Sequence, residues 1–495
     1  MQNILSLSNT NKLILATFAS LAIFAIGTGK AHAATLNVSG GCTLPIAISS
    51  VNAGTNQSGC TASGIYGADD TINIPSGTIT LTSDLTIMTE SVNIRGAGMG
   101  RTTIDGAGQY FVFEYSGDGD LTISDLKITN FARNAVYSHS PNLTVNNVEV
   151  DGAGSVPTGG SLNALEARNV GADTILVDIN NVYVHNFDSS VNELSALVLA
   201  QSGTGTIDAD FQGVTISDIH NAGTGHVVQG INLFVNRDGG TINAIITNTT
   251  VHDVTGEDLV TPFASFGMVD SGPGNSAITT LVRNITITGT RGATGTGDFA
   301  GVKSAAFYAV SLARDNGDTA TTKVDVTNSL MADNLNDGLP SNCIAFDISG
   351  FFVDGGTGSA EINSLGYNLS DDDSCTGFNE LGDQQNVGNI TSTLGPLQNN
   401  DGAVPTRELL AGSPAISAGG AVLGVTTDAR GIARNGYYSV GAYQYVLGNE
   451  TSSPSVGGNA AAPNTGAENV STLFVVASFA AGIILLGYTF SRKLS

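Results

Sequence analysis

Acidic residues are the first groups in this chain whose chemistry could support catalysis or metal binding. Asp69 and Asp70 could form the carboxylate pair that glycoside hydrolysis requires, but neighbours in a strand point to opposite faces. We therefore expect this pair to serve a turn. The run Asp371-Asp372-Asp373 could bind calcium, although a solvated turn beside Cys375 is the expectation.

Three of the histidines directly follow apolar β-formers, at His185, His220 and His252. If a repeat aligned them on one face, they could form a metal or acid–base site, but polar positions at bends are the simpler interpretation. The chain has Gly225-His226-Val227 where polygalacturonases have Gly-His-Gly, and it contains no Arg-x-Lys. The sequence therefore predicts no catalytic residue, no metal ligand and no cofactor.

The four cysteines form two groups that are close in sequence. Cys42 and Cys60 lie near one end of the chain, and Cys343 and Cys375 lie 32 residues apart. An even number in an exported chain predicts the disulfides Cys42–Cys60 and Cys343–Cys375, although four cysteines allow three pairings.

A short repeat from about residue 71 to 368 must position the three histidines, and the two acidic runs lie just outside its ends. Two β-formers two residues apart are followed by a polar residue, by Asn, Asp or Gly, and by two more β-formers. Copies of this pattern occur at 121–128, 143–150, 177–184, 209–216, 244–251, 282–287 and 324–328. Alternation with a period of two predicts strands, and the Asn, Asp or Gly predicts a sharp bend.

Strand, bend, strand and loop repeated at this length indicate an all-β fold, a right-handed parallel β-helix or solenoid. The asparagines could stack as an amide ladder between coils, or they could merely permit the bend. The alternative fold is an array of immunoglobulin-like sandwiches. That fold requires longer repeats and a buried Trp, and the chain has no Trp.

A short helix is expected to cover one end of the solenoid. Leu44, Ile48 and Val51 share a helical face, Thr43 is a plausible N-cap, and Pro45 suits the first turn.

The N-terminus has the pattern of a secretory signal peptide. Lys12 precedes an apolar stretch at 13–26, and Ala31-His32-Ala33 predicts cleavage before Ala34. An uncleaved membrane anchor is the alternative.

The C-terminus combines a short motif, an apolar run and a basic end. An apolar run at 470–490 is long enough to cross a bilayer as a helix, and Arg492 and Lys493 follow it. The motif before the run is Ala462-Pro463-Asn464-Thr465-Gly466. It resembles the Leu-Pro-x-Thr-Gly signal of sortase substrates, with Ala462 in place of Leu. The resemblance implies cleavage between Thr465 and Gly466 by a sortase-like transpeptidase and covalent attachment to the cell envelope. An uncut transmembrane anchor is the alternative.

Two further segments resemble parts of exported bacterial β-helix proteins. Residues 42–48 followed by Gly67-Ala-Asp-Asp-Thr-Ile72 resemble a CSLREA-type N-terminal segment, with Pro45-Ile46 replacing the Arg-Glu pair. Residues 366–375, 394–397, 412–416, 428–431 and 440–443 resemble the choice-of-anchor Q domain. These resemblances imply a surface-exposed β-helix and no established activity.

The resulting expected organisation has six parts. They are a signal peptide at 1–33, an N-terminal cap at 34–66, the β-helix at 67–365, a choice-of-anchor Q-like domain at 366–446, a flexible spacer at 447–461 and the sorting signal at 462–495.

The net charge of the chain limits the classes of partner that it can bind. The formal net charge of −25 argues against nucleic acid as a partner. We expect a non-enzymatic surface protein, an adhesin or display protein that could bind a glycan or cell-surface ligand through loops at 155–172 and 187–206. The alternative is a surface-anchored polysaccharide lyase or glycoside hydrolase. A cleft lined by several carboxylates and an Arg or Lys on one parallel sheet would favour the enzyme.

Overall fold

The computed structural model describes residues 33–88, 91–139, 142–157, 160–190, 193–236, 238–270, 273–296, 301–351 and 355–446. The expected signal peptide, the spacer, the motif Ala462–Gly466 and the apolar run at 470–490 lie outside these residues. Within them, no helix is long and apolar enough to cross a membrane.

Short strands make up most of the described chain. The elements of the N-terminal half are β1 (Thr35–Asn37), α1 (Leu44–Ala53), β2 (Asp70–Asn73), β3 (Gly77–Thr80), β4 (Thr86–Ile87), β5 (Val92–Arg95), β6 (Thr102–Asp105), β7 (Phe113–Tyr115), β8 (Asp120–Thr129), β9 (Asn134–Ser138), β10 (Asn142–Asp151), β11 (Ser161–Asn169), β12 (Thr174–Ser189), β13 (Glu193–Gln201), β14 (Thr206–Gln212), β15 (Thr215–Asn221) and β16 (Val228–Val235). Those of the C-terminal half are β17 (Gly239–Thr247), β18 (Thr250–Gly256), β19 (Val260–Val269), β20 (Asn275–Arg283), β21 (Thr286–Thr288), β22 (Arg291–Gly292), β23 (Phe307–Ala313), β24 (Thr319–Thr327), β25 (Leu330–Ala332), β26 (Leu335–Asn336), β27 (Leu339–Pro340), β28 (Cys343–Asp347), η1 (Ser349–Phe351), β29 (Thr357–Ser364), β30 (Leu369–Ser370), η2 (Thr391–Thr393), β31 (Leu394–Gln398) and β32 (Thr406–Leu409).

The strands form a parallel solenoid with two large sheets. Sheet 1 has 21 strands and bends into two arms, and sheet 2 has nine strands. Arm A contains β14, β17, β20, β24 and β29 and the first halves of β8, β10 and β12, while arm B contains their second halves with β15 and β18. The pairings between coils are parallel, so the predicted all-β parallel solenoid is confirmed and the antiparallel sandwich is excluded.

The inward side chains form one continuous core because the coils repeat in register. In arm A one column of directly paired, buried residues runs through Ile123, Val145, Ile179, Phe211, Ile246, Val282 and Val326. The predicted repeat is therefore the true structural repeat.

The bend between the arms falls at the predicted polar position of each coil. Its backbone is left-handed, with φ between 50° and 64° at Asp125, Asn147, Asn181, Gly213, Asn248, Asn284 and Asn328. Asn, Asp and Gly tolerate this conformation better than other residues. The bend also carries a ladder, since Asn181 Nδ2 donates to Asn147 Oδ1 (3.1 Å) and Asn147 Nδ2 donates to Asp125 Oδ1 (3.2 Å). Both interpretations of these asparagines are thus confirmed in this part of the chain.

Helix α1 and the first disulfide close one end of the core. Leu44, Ile48 and Val51 are buried, Pro45 lies in the first turn, and Thr43 occupies the N-cap position without making a side-chain cap bond. The disulfides Cys42–Cys60 and Cys343–Cys375 have Cα atoms 4.4 and 4.8 Å apart, as the cysteine grouping predicted.

The C-terminal segment 366–446 folds back along the solenoid. It contains the antiparallel pair β31–β32, and its Leu369 belongs to a small apolar core that the segment shares with Leu330 of β25. The asparagines at the bends between the two arms, here called the bend column, donate hydrogen bonds to the backbone of this segment. Asn248 donates to the Thr427 carbonyl (2.9 Å), Asn284 to the Gly441 carbonyl (3.4 Å) and Asn328 to the Gly420 carbonyl (2.6 Å).

The expectation of outward loops at 155–172 and 187–206 is wrong. These segments contain β11 and β13, which pair with each other in parallel within sheet 2. Both strands are buried throughout most of their length, so their sequences lack the alternation that marks a half-exposed strand. The extra residues supply the third strand of each coil.

Replacing an inward residue by a charge should test the stacked core. We expect Ile179→Asp to lower the free energy of unfolding by several kcal/mol, because Ile179 is 2% exposed and the carboxylate would have no partner. The control Ile179→Val should cost only about 0.5–1.5 kcal/mol. Equal losses in chemical denaturation would contradict an inward position.

The bend column can be tested at Asn147. We expect Asn147→Ala to cost about 1–3 kcal/mol, because alanine tolerates a φ of 53° less well than asparagine and because the change removes both ladder bonds. Asn147→Gly keeps the left-handed bend and should cost less in the same denaturation experiment. A glycine variant as unstable as the alanine variant would show that backbone strain is not the cause.

Candidate functional site

An open groove lies on the outer face of arm A, where β12, β14, β17 and β20 run side by side. Its volume is about 450 Å³. It is lined mainly by outward side chains, since Val177, Ile179, Ile207 and Phe211 of the same strands point into the core. Alternation therefore leaves every second residue of these strands to form the groove.

Two rows of aligned residues form the groove surface. The near row, which is the row closer to the bend between the arms, consists of the directly paired residues Asp178, Asp210, Ile245 and Leu281. The far row consists of directly paired Leu176, Asp208, Asn243 and Thr279. Three carboxylates thus face the same solvent space on two neighbouring coils.

The spacing of these carboxylates follows from the sheet. Asp178 and Asp210 are direct partners on adjacent strands, whose backbones lie about 4.8 Å apart along the solenoid. Asp208 lies two residues before Asp210, about 6.6 Å along the same strand. Asn243 Nδ2 donates to Asp208 Oδ1 at 2.8 Å, which engages one oxygen of this groove-lining carboxylate.

Asp210 is exposed to solvent, but its pKa lies above the ordinary value for aspartate. Burial among neighbouring side chains raises the pKa of Asp210, Arg283 opposes the rise, and the facing Asp178 carboxylate adds to it. The Arg283 guanidinium is held at the edge by bonds to Thr247 Oγ1 (2.8 and 3.0 Å) and to the Leu423 carbonyl (3.1 Å). Asp210 is therefore the groove carboxyl suited to hold a proton.

A second cluster lies on the outer face of arm B, and its charges are paired. Lys127 Nζ is 2.9 Å from Glu149 Oε1 and 2.7 Å from Asp151 Oδ2, and His185 Nε2 is 3.0 Å from Glu149 Oε1. The Tyr183 ring stacks on His185 at 4.1 Å. Ligand atoms of Glu149, Asp151 and His185 lie within 4.8 Å of one another, so these residues could hold a metal ion only if Lys127 moved away.

The pKa values of both acids in this cluster are shifted toward the ionised form. Burial alone would raise the pKa of Glu149, but His185 and Lys127 hold it below its usual value. Burial would likewise raise the pKa of Asp151, but Lys127, the Asn186 amide and the Ala153 amide lower it. Neither acid is suited to donate a proton near neutral pH.

The histidines are only partly aligned. His185 and His252 fall in one row of arm B with Ser217 between them, whereas His220 pairs with Asp188 and Thr255. In the described residues none of these histidines is the direct strand partner of another, and all three lie in strands rather than at the expected bends. They are polar strand positions and form no shared histidine site there.

The acidic runs named from the sequence serve the fold. Asp70 is 1% exposed and accepts bonds from the Ala34 and Gly67 amides (2.8 and 3.4 Å), while Asp69 takes a left-handed turn conformation. Asp372 accepts bonds from Asn342 and Ser374 next to the second disulfide. The prediction that these runs are not catalytic pairs fits their contacts, although the predicted solvation of Asp372 is wrong, since it is 6% exposed.

Sequence reasoning missed the groove, although a signal was present. The repeat copies Val177-Asp178-Ile179 and Ala209-Asp210-Phe211 carry aspartate at the same repeat position. A further aspartate, Asp208, lies two residues before Asp210. Equivalent repeat positions on neighbouring coils are adjacent in space, so this coincidence marks the carboxylate pair.

Comparisons with known proteins add little. No protein-family model matches the chain, and no curated protein matches it. Two solved structures are similar in part: the Agl-KA catalytic domain (15% identity, 60% of this chain and 62% of that chain, TM-score 0.18) and the catalytic domain of a GH87 alpha-1,3-glucanase in complex with tetrasaccharides (14%, 58% and 63%, 0.15). The matched part spans less than two thirds of either chain.

The arm B cluster predicts a pH dependence of stability. A carboxyl whose folded pKa is lowered contributes stability above its unfolded pKa of about 4, and that contribution is lost as pH falls through the folded pKa. We expect Lys127→Met to lower the free energy of unfolding by about 1–2 kcal/mol at pH 7. The difference from the unsubstituted protein should shrink on acidification to about pH 2, measured by denaturation at each pH.

The control is Lys303→Met, which removes an exposed lysine. It should leave both the stability and its pH profile nearly unchanged. A constant gap between Lys127→Met and the unsubstituted protein at every pH would contradict the proposed charge pairing.

Proposed function

We propose that this protein is an exported glycoside hydrolase that uses the groove on arm A. The observation that carries the proposal is the pair Asp178 and Asp210 on adjacent strands, one with a raised pKa, in an open groove bordered by Arg283. This is the arrangement that favours an enzyme over a display protein. Paired carboxyl groups with different proton affinities are the requirement of glycoside hydrolysis.

The two carboxyl groups take complementary roles. Asp210 donates its proton to the glycosidic oxygen as the bond to the sugar breaks. The Asp178 carboxylate attacks the anomeric carbon and forms a covalent glycosyl ester. Water, deprotonated by Asp210, then hydrolyses the ester and releases Asp178. Residues paired directly on neighbouring strands have backbones about 4.8 Å apart, which brings the two carboxyl groups close enough for this retaining route. The inverting route needs room for a water between the carboxyl groups.

Apolar side chains give the groove a surface for sugar rings. Leu176 is 48% exposed and Ile245 is 36% exposed, and both lie beside the carboxylates. The carbon–hydrogen faces of sugars can pack on such side chains while their hydroxyl groups reach the polar neighbours. The groove is open, so it suits a chain rather than a single enclosed sugar.

Export and anchoring are part of the proposal. Two disulfides support an oxidising, extracytoplasmic location. The N-terminal signal pattern and the motif at 462–466 support transport and attachment to the envelope by a sortase-like transpeptidase, with the enzyme held at the surface. We also propose that the solenoid is right-handed, since parallel crossover connections nearly always are.

Activity should depend on both groove carboxyl groups. We expect Asp210→Asn and Asp178→Asn each to reduce the hydrolysis rate by about 10²–10⁴-fold, because each removes a proton donor or a nucleophile. Reducing-sugar release from a panel of polysaccharides measures this. The rate of the unsubstituted enzyme should also fall as pH rises through the raised pKa of Asp210, because the acid must be protonated.

The matched control is Asp118→Asn, an exposed aspartate outside the groove, which should keep full activity. If no polysaccharide is cleaved, or if Asp210→Asn is as active as the unsubstituted protein, the proposal fails. The disulfide-bonded protein spanning residues 34–465 is the material for both assays.

A further inference from the structure

We infer that the groove selects glycans that carry amino groups, with Asp208 as the residue that recognises the ammonium. This inference rests on the proposed function, because it concerns the substrate of the same groove. It begins from the charges that border the two rows.

The groove has an excess of negative charge. Asp178, Asp208 and Asp210 line it, and in the described residues none of the three forms an ion pair with a cation. When Asp210 holds its proton, Asp178 and Asp208 remain as two carboxylates. Such a site lowers the energy of a positively charged ligand and raises that of an anionic one.

The two cations at the edge of the groove are already engaged. Arg283 donates to Thr247 Oγ1 and to the Leu423 carbonyl. Lys323, which follows Thr279 in the far row, forms an ion pair with Asp325 at 2.6 Å. Asp325 neutralises Lys323, and Arg283 is a single positive charge beside the carboxylates of Asp178 and Asp208, so polyuronates are poor candidates as substrates.

Asp208 is the carboxylate best placed to bind an ammonium. The chemistry uses the near-row pair, Asp178 and Asp210, and leaves Asp208 without a catalytic task. Asn243 holds Asp208 Oδ1 at 2.8 Å, so the second oxygen can accept a bond from a ligand donor. An ammonium on the sugar would make a charge-assisted bond there, whereas an N-acetyl group offers a neutral amide.

The experiment compares three hexasaccharides of equal length: glucosamine, N-acetylglucosamine and galacturonate. Binding to the disulfide-bonded 34–465 protein is measured by calorimetry at pH 5.5, in low and high salt. We expect the glucosamine hexamer to bind at least 10-fold more tightly than the N-acetylated one at low salt, and this preference to shrink at high salt. The galacturonate hexamer should not bind measurably.

Asp208→Asn tests the assigned residue. We expect it to reduce the preference for the amine over the N-acetylated hexamer to near unity, while Asp118→Asn leaves the preference unchanged. Equal binding of the amine and the N-acetylated hexamer, tight galacturonate binding, or a preference that survives Asp208→Asn would each overturn the inference.

The two proposals fail separately. Cleavage of neutral glycans without an amine preference would overturn this inference and leave the hydrolase intact. An amine preference that depends on Asp208, without cleavage of any glycan, would support the recognition site and overturn the hydrolase. Binding of none of the three hexamers would overturn the inference.

Discussion

The left-handed bend between the two arms is the constraint on which the rest of sheet 1 depends. A strand side chain points to the face opposite its neighbour's, so a shift of one residue would exchange inward and outward residues along a whole coil. The column from Asp125 to Asn328 fixes the end of each arm A strand at a residue that accepts positive φ. Near one end the column is held by amide bonds between coils, and near the other by bonds to the C-terminal segment.

The groove is a consequence of that column. Its near row lies three residues before the bends at Asn181, Gly213, Asn248 and Asn284, and its far row lies five residues before them. Because the bends are in register, residues at one offset must be neighbours even when about 32 residues separate them in sequence. The same geometry that stacks the core therefore brings Asp178 against Asp210.

The parts predicted correctly are those with a local signal. Alternation around a polar bend revealed arms A and B, helical spacing revealed α1, and closeness in sequence revealed both disulfides. Sheet 2 was missed because strands such as β13 are buried on both faces, so Ala196 to Ala200 shows an unbroken apolar run instead of alternation. The groove was missed because its pairing is a property of neighbouring coils, and inspection of adjacent residues alone, as at Asp69 and Asp70, cannot reveal it.

The carboxylates on the outer face of arm B are paired with a lysine, whereas those on the outer face of arm A are paired with each other. This contrast supports arm A as the site of chemistry. On arm B, Glu149 and Asp151 share Lys127 and keep lowered pKa values, so their charges are balanced within the fold. On arm A, Asp178 and Asp210 are direct partners on adjacent strands. Two negative charges at such positions repel each other and disfavour the pairing of the two strands. Unbalanced carboxyl groups with perturbed pKa values are more frequent where a ligand or a proton completes the balance. A bound proton on Asp210, or a positively charged ligand, would remove the repulsion, so the direct pairing of these two residues favours the states that the proposed reaction uses.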